Sequence, residues 1–240
     1  MSSLSQYRLL CFDVYGTLID WEEGIITALQ PILKTSKTEF TRKHLLTIYH
    51  ELESEQQRLT PDKPYFQLLA TIHPLLAQRL SLPTPSEEDS IQFGKSVGSW
   101  PAFPDTIDAL YRLQKYYKLV ILSNVDRASF AQSNAGSLQA FPFDLIITAE
   151  HVGSYKPDAR NFAYMMKAVQ SDFGVEPEQI LVTAQSQYHD HQPASRAGIR
   201  SVWIERPGAI MGNSEDAPIF DWRFDTLGEM AHALQNERTQ

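Results

Sequence analysis

The fold is decided by the stretch Leu9-Leu10-Cys11-Phe12-Asp13-Val14-Tyr15-Gly16-Thr17-Leu18. Its first half belongs to an apolar run, residues 7–14, that is too short for a buried helix and is typical of a strand covered on both faces. An acidic side chain, Asp13, stands where this strand ends. Gly16 permits a tight turn directly afterwards. The stretch therefore predicts a buried strand that delivers a carboxylate to its carboxyl end.

Short apolar runs of the same kind recur later in the chain. They cover residues 119–122, 145–148, 180–183 and 201–204. Helical patterns lie between or beside them, at residues 126–135, 158–173 and 191–197, and Gly174 and Gly198 are plausible helix stops. Alternating strands and helices predict an α/β fold with a doubly wound, mostly parallel sheet and a Rossmann-like core.

The interval between the first two strands is much longer than a crossover helix requires. Helical patterns fill it at residues 21–34, 41–58, 64–80 and 86–97, and Ser86 with Asp89 is typical of a helix N-cap. A further helix, residues 104–115, leads back to the second strand. We therefore expect a helical cap domain, residues 20–101, inserted into a core made of residues 1–19 and 102–240.

Composition excludes several classes of protein. The 240 residues include 21 Lys+Arg and 29 Asp+Glu, for a formal net charge of −8. An acidic chain without a basic run is a poor candidate for binding nucleic acid or an anionic membrane, although local charge can still favour a small anionic substrate. The single cysteine, Cys11, excludes an intramolecular disulfide framework. With no apolar run of about 18–20 residues, we expect a cytoplasmic, soluble protein.

Side chains suited to catalysis follow four of the predicted strands. Asp13 follows the first strand, Ser123 and Asn124 the second, Lys156 the third, and Asp190 the fourth. Ligands bind beyond the carboxyl ends of the strands in an open parallel sheet, so these groups are expected to converge. The set predicts nucleophilic catalysis by a carboxylate, with a nearby cation that keeps the carboxylate ionised.

Each residue also has a structural alternative. Asp13 and Asp190 could each cap a helix, and Ser123 and Asn124 could cap the helix that follows them. Thr17 could hold a carboxylate or substrate oxygen, or it could pack as a β-branched residue. Cys11 lies two residues before Asp13 and is expected to pack inside the sheet.

Four motifs together resemble the haloacid dehalogenase superfamily, and within it the type II (S)-2-haloacid dehalogenases. They are Phe12-Asp13-Val14-Tyr15-Gly16-Thr17-Leu18, Leu122-Ser123-Asn124, Tyr155-Lys156-Pro157-Asp158 and residues 190–198. The resemblance implies that Asp13 is the nucleophile and Lys156 the essential lysine. It further implies that Thr17, Ser123 and Asn124 hold the substrate and that Asp190 is the acid of the last motif. Relatives with a cap often dimerise, so the resemblance also allows a homodimer.

Two positions distinguish this chain from the phosphatases of the superfamily. Those enzymes usually carry a second Asp two residues after the nucleophile, where this chain has Tyr15, as the dehalogenase branch does. They usually have Gly-Asp in the last motif, where this chain has Gln185-Ser186. Magnesium prefers several anionic oxygen ligands, so we expect a metal-free hydrolase without a cofactor. Mg²⁺ would be required only if the chain were a phosphatase.

The substrate-binding positions depart from the type II pattern. Those enzymes place an Arg on the cap to hold the substrate carboxylate, and the alignment puts His50, or its neighbour Tyr49, at this position. Gln185 and Gln187 replace a Ser and an Asn, and Gln187 could still donate to an anion. We assign Tyr15, Gln187 and His50 to the substrate-binding set, with no metal ligand.

The reaction expected from the resemblance is halide displacement from a small anionic 2-haloacid by Asp13, followed by hydrolysis of the ester. Three alternatives remain open. The chain could be a phosphatase-like hydrolase, a pathway-specific hydrolase of a non-halogenated substrate, or a non-catalytic ligand-binding protein on the same fold.

Overall fold

The computed structural model describes residues 3–212 and 217–239, and its centre is a parallel β-sheet. Within these residues the sheet has six strands in the order β3-β2-β1-β4-β5-β6, and each neighbouring pair is parallel. The strands are β1 Leu9–Phe12, β2 Lys118–Ser123, β3 Leu145–Thr148, β4 Ile180–Ala184, β5 Arg200–Ile204 and β6 Trp222–Phe224. Five of them were predicted, and the doubly wound parallel architecture is confirmed.

Strand β1 lies between β2 and β4 and is buried along its whole length. Leu10 and Phe12 pack into the apolar cluster on one face, whereas Leu9 and Cys11 pack into the cluster on the other. Burial raises the pKa of the Cys11 thiol to about 12, in keeping with the expected packing role. The run is apolar without alternation because helices cover both faces of the sheet.

The first strand is shorter than the predicted residues 7–14, because the chain turns immediately after Asp13. The carbonyl oxygen of Val14 accepts hydrogen bonds from the N–H groups of Thr17, Leu18 and Ile19, at 3.2, 2.7 and 2.9 Å. Gly16 has a φ of +99° in this turn, a conformation that L side chains rarely adopt. The turn ends the strand and leaves the Asp13 side chain at the sheet edge.

Four α-helices fill the interval between β1 and the helix that leads into β2. They are α1 Trp21–Leu33, α2 Arg42–Leu59, α3 Tyr65–Arg79 and α4 Glu87–Lys95, followed by a 3₁₀ turn at Ser96–Ser99. Each lies within a few residues of its predicted range, because the capping residues themselves are not helical. The predicted cap at Ser86 is confirmed as a capping box with Asp89. We call residues 21–99 the inserted helical segment.

The remaining helices belong to the core, and all but the last of them lie between its strands. They are α5 Thr106–Leu113, α6 Arg127–Ala135, α7 Ala149–Val152, α8 Ala159–Phe173, α9 Gln192–Arg196 and α10 Leu227–Thr239. Helix α8 ends at Gly174, which has a φ of +61°, as predicted. The predicted helix at 191–197 is in fact a π-helical turn, Gln187–His191, followed by the short α9. Across the described parts of the chain, no helix is long and apolar enough to cross a membrane.

The order of the strands places the site. The chain runs from β1 outward to β2 and β3, and then crosses back to β4 on the other side of β1. The carboxyl end of β1 is therefore the switch point of the sheet, where open α/β proteins form their binding crevice.

Candidate active site at the carboxyl edge of the sheet

Asp13 lies at the switch point and is the centre of the candidate site. Its backbone N–H continues the sheet by donating to the Thr183 carbonyl oxygen at 3.2 Å. Its carboxylate accepts one hydrogen bond at each oxygen, from Lys156 Nζ to Oδ1 at 2.9 Å and from Thr17 Oγ1 to Oδ2 at 2.8 Å. The residue is only 7% exposed, and the exposed part faces a cavity. Asp13 is thus a fixed carboxylate whose approach is open from one side.

Lys156 joins the two carboxylates of the site. Its ammonium group donates to Asp13 Oδ1 at 2.9 Å, to Asp190 Oδ1 at 2.7 Å and to the Leu122 carbonyl oxygen at 2.9 Å. Burial opposes the charged form, but the two neighbouring carboxylates outweigh it and raise the pKa of Lys156 above its ordinary value. The lysine therefore remains a cation, and all three of its hydrogens are used.

Asp190 is carried to the site by the π-helical turn after β4. Its side chain is 2% exposed, and Oδ2 is buried without a hydrogen-bond partner among the described residues. Burial raises the pKa of Asp190 to about 7, with Lys156 opposing the shift and the Asp13 charge adding to it. The site thus holds two buried carboxyl groups, Asp13 and Asp190, and the Lys156 ammonium. Asp190 keeps one oxygen without a hydrogen-bond donor among the described residues.

Thr17 connects Asp13 to the rest of the core. Its hydroxyl donates to Asp13 and accepts from the Gln185 N–H at 2.9 Å. Its carbonyl oxygen accepts from Arg206, from Nε at 3.0 Å and from Nη2 at 2.6 Å, and Arg206 also pairs with Asp105. Thr17 does not line the cavity, so it holds the carboxylate oxygen, one of its two predicted partners. The role of Arg206 was not predicted, since a lone arginine after a strand has no distinguishing pattern.

Asn124 lines the cavity, and Ser123 does not. The Asn124 amide binds the backbone of Lys156 twice, accepting from its N–H at 2.6 Å and donating to its carbonyl oxygen at 3.0 Å. The Ser123 hydroxyl is buried without a hydrogen-bond partner within the described ranges. Neither residue caps helix α6, because Asp126 does so by accepting from the Ser129 N–H at 2.8 Å.

The cavity above Asp13 has a volume of about 520 Å³. Its floor is formed by the strand ends, and its walls by the inserted helical segment and by the loops around residues 185–192 and 210–212. The side chains that line it include Asp13, Tyr15, Trp21, His50, Glu53, Gln57, Tyr65, Asn124, Lys156, Gln185, His189, Asp190 and Met211. The structure thus brings together Asp13, Lys156, Asp190, Asn124, Tyr15 and His50 from the predicted set.

Tyr15 contributes its ring to the cavity wall. Its hydroxyl is hydrogen-bonded to Ser133 Oγ at 2.9 Å, and its ring packs edge-on against Trp100 with centroids 5.6 Å apart. Burial raises the pKa of the phenol above its ordinary value. Tyr15 therefore presents an uncharged surface where the phosphatase pattern has an acid.

Helix α2 supplies a part of the site that sequence reasoning largely missed. His50 lines the cavity as predicted, whereas its neighbour Tyr49 is buried and hydrogen-bonded to Tyr65. Glu53 and Gln57 line the cavity as well and were not predicted. The spacing of three and then four residues from His50 places all three on one helix face, and this pattern could have revealed them.

Gln187 is not brought to the cavity, contrary to its assignment to the substrate-binding set. The π-helical turn that begins at this residue buries its side chain, and its Oε1 accepts a hydrogen bond from the Ile219 N–H at 2.8 Å. Gln185 lies at the cavity instead, where its amide nitrogen donates to the Met211 carbonyl oxygen at 2.9 Å.

The donor set does not fit a magnesium ion. The Lys156 ammonium binds both carboxylates of the site, and Tyr15 and Ser186 stand where the phosphatase pattern has acids. Across residues 3–212 and 217–239, no group of three or more His, Cys, Asp or Glu residues could hold a metal ion. Magnesium prefers anionic oxygen ligands, which a bound ammonium between the carboxylates disfavours.

A doubly wound parallel sheet with a carboxylate, a lysine and a second carboxylate at its switch point is typical of a class of hydrolases that use an aspartate nucleophile. The chain belongs to the haloacid dehalogenase-like hydrolase family, whose model matches residues 10–204. A curated relative, (S)-2-haloacid dehalogenase H-109 of Pseudomonas putida, is 26% identical over 236 residues, which is 94% of this chain and 96% of the relative.

Two further proteins resemble the chain, one in its fold and one in part of its sequence. The crystal structure of an L-2-haloacid dehalogenase superposes with a TM-score of 0.79 at 22% identity, over 96% of this chain and 99% of that one. A phosphoserine phosphatase of Thermus thermophilus is 28% identical over 155 residues, covering 63% of this chain and 59% of the relative. These comparisons show the family and the fold. The relatives include both a dehalogenase and a phosphatase, so the comparisons do not decide between the two reactions.

Proposed function

We propose that the chain hydrolyses a carbon–halogen bond through an ester formed on Asp13, in the manner of a haloacid dehalogenase. The observation that carries the proposal is the position of the Lys156 ammonium, 2.9 Å from Asp13 Oδ1 and 2.7 Å from Asp190 Oδ1. This contact holds the Asp13 carboxylate in place beside the cavity, as a carboxylate nucleophile requires.

In the first step, an Asp13 oxygen attacks the carbon that bears the halogen. A C–O bond forms, the carbon–halogen bond breaks, and the halide leaves with the electron pair. No proton is needed, because halide is a stable anion. The uncharged Tyr15 ring, with its hydroxyl engaged by Ser133, suits a leaving group of this kind better than an alkoxide that must be protonated.

In the second step, water attacks the carboxyl carbon of the Asp13 ester. One Asp13 oxygen carries the substrate carbon, and the other becomes the oxyanion. Each already has one donor, the Lys156 ammonium at Oδ1 and the Thr17 hydroxyl at Oδ2, so the oxyanion develops beside a hydrogen-bond donor on either oxygen. Asp190 lines the same cavity and keeps one oxygen without a partner among the described residues, so we assign it as the group that takes the proton of the water. The ester C–O bond then breaks, and the product alkoxide takes this proton from Asp190. The second proton of the water is released to solvent, so that Asp13 returns as a carboxylate with one oxygen from water.

The proposal is tested by halide release from (S)-2-chloropropionate and (S)-2-chloropropionamide in the presence of EDTA. We expect release by the wild type, no release by Asp13→Asn, and unchanged release by Asp172→Asn, which removes an exposed carboxylate on α8. A single turnover in ¹⁸O-labelled water should place the label in the peptide that contains Asp13.

Two results would contradict the proposal. Full activity of Asp13→Asn would exclude the ester. Halide release from neither compound, together with magnesium-dependent hydrolysis of an aryl phosphate, would instead favour the reaction of the phosphatase relative.

A further inference from the structure

The cavity has two chemically different walls. The floor at the strand ends carries Asp13, Lys156 and Asp190, which perform the proposed reaction. The opposite wall, from helices α2 and α3, presents His50, Glu53 and Tyr65. A group of the substrate remote from the reacting carbon therefore meets the inserted helical segment and not the strand ends.

Lys156 has no free hydrogen with which to bind a substrate carboxylate. Its three donors are directed to Asp13, Asp190 and the Leu122 carbonyl oxygen. No other lysine or arginine is among the described residues that line the cavity, and residues 1–2, 213–216 and 240 include neither residue type. A carboxylate buried here would lose its hydration without gaining a cationic partner of its own, which is costly.

Glu53 is instead a fixed acceptor on the opposite wall. The hydroxyl of Tyr65 donates to its Oε1, and the hydroxyl of Tyr49 contacts the same oxygen at 3.3 Å. Its Oε2 lies 3.8 Å from His50 Nδ1, which is longer than a hydrogen bond. Because both tyrosine hydroxyls contact Oε1, Oε2 is the Glu53 oxygen that is available to a substrate.

His50 does not reverse the charge of this wall. Its contact with Glu53 raises the pKa of the imidazole, so that His50 and Glu53 together carry no net positive charge even when the imidazole is protonated. His189, which also lines the cavity, is kept neutral because burial lowers its pKa to about 4. The wall as a whole offers a hydrogen-bond acceptor.

We propose that the substrate carries a hydrogen-bond donor, an amide or ammonium group, that binds Glu53, and that a carboxylate is disfavoured at this position. This inference rests on the proposed function for the reaction but replaces the 2-haloacid by a haloalkane with a neutral or cationic polar group. It also differs from the anionic substrate expected from the sequence.

The test compares (S)-2-chloropropionamide with (S)-2-chloropropionate, which have nearly the same shape. We expect the wild type to have a higher kcat/KM for the amide. We expect Glu53→Gln to reduce the amide-to-acid ratio about tenfold or more, since a carboxylate would no longer face a fixed negative charge. A general loss of folding cancels within the ratio, and the intrinsic reactivity of the two compounds cancels when the ratio of Glu53→Gln is compared with that of the wild type. Glu55→Gln, on the exposed face of the same helix, should leave the ratio unchanged.

Binding of the unreactive propionamide and propionate, measured by calorimetry, separates this inference from the reaction. Preferential binding of propionamide that Glu53→Gln abolishes would support the inference even if no halide were released and the proposed function failed. A preference for the acid, or a ratio that Glu53→Gln leaves unchanged in either measurement, would overturn the inference while leaving halide release as evidence for the reaction.

Discussion

Replacement of Lys156 by methionine tests whether its ammonium and the carboxyl groups of Asp13 and Asp190 form a buried charge network. The side chains of Lys156, Asp13 and Asp190 are 1%, 9% and 2% exposed. Without the ammonium, two carboxylates face each other in a nearly dry site. Breaking a buried ion pair in this way costs about 3–5 kcal/mol. At roughly 2–4 °C per kcal/mol for a chain of this size, we expect Tm to fall by about 6–20 °C.

The assay is thermal and urea unfolding of Lys156→Met beside two controls. Asp13→Asn leaves a balanced pair of Lys156 and Asp190, so its free energy of unfolding should change by only about 1 kcal/mol. Lys118→Met breaks an ion pair of 2.7 Å, from Lys118 Nζ to Asp144 Oδ1, which is as short as the one between Lys156 and Asp190. The Lys118 side chain, however, is 52% exposed. Exposed pairs contribute about 0–1 kcal/mol, so this variant should be nearly as stable as the wild type.

The pH dependence of the same variant follows from the sign of the pKa shift. Removal of Lys156 removes the group that opposes the raised pKa of Asp190, so this pKa rises further. The folded state then binds more protons than the unfolded state above about pH 4, and stability falls as the pH rises. The loss in free energy of unfolding that Lys156→Met causes should therefore be smaller at pH 5 than at pH 8. A deficit no larger than that of Lys118→Met, or one that is the same at both pH values, would refute the network.

Three further predictions concern residues around the same site. The kcat of halide release should decrease below about pH 7, because protonated Asp190 cannot accept a proton from water, and the pH profile of Asp190→Asn should lack this limb. Thr17→Val removes the hydroxyl that donates to Asp13 and should lower the free energy of unfolding by about 1–3 kcal/mol, as thermal melting would show. In steady-state kinetics, kcat should fall by a larger factor than KM changes. Arg206→Lys loses the two-pronged contact with the Thr17 carbonyl oxygen, so both Tm and kcat should fall, whereas Arg223→Lys on the exposed surface should change neither.

The half of the site built from strand ends could be predicted from the sequence for a geometrical reason. In a parallel sheet the carboxyl ends of all strands meet at one edge, so residues that follow β1, β3 and β4 must come close together. Asp13 and Asp190 are 177 positions apart, and an oxygen of each still lies within 3 Å of the Lys156 ammonium. The local pattern and the expected parallel sheet were sufficient to predict this proximity.

The failures have equally local causes. Gln187 was expected to contact the substrate because it follows a strand, but the π-helical turn that starts there directs its side chain to Ile219. Strand β6 and helix α10 were not predicted. The strand has only three residues, and its burial alternates without a strong apolar run. A turn type and a short edge strand depend on contacts that sequence periodicity does not reveal.

The inserted helical segment was predicted as helices, but His50 was its one residue assigned to the site. The helical pattern by itself does not say which face of a helix lines a cavity, although the spacing of Glu53 and Gln57 follows once His50 is placed there. A rotation of α2 by one residue would replace the face that carries His50, Glu53 and Gln57 by another, without changing the helical pattern. Its actual orientation depends on packing against α1 and α3, such as the contact between the rings of Trp21 and Tyr49 at 5.6 Å. In the proposed reaction the residues at the strand ends supply the chemistry, whereas in the proposed substrate preference the packing of α2 places Glu53 at the cavity. The two proposals therefore depend on different parts of the chain.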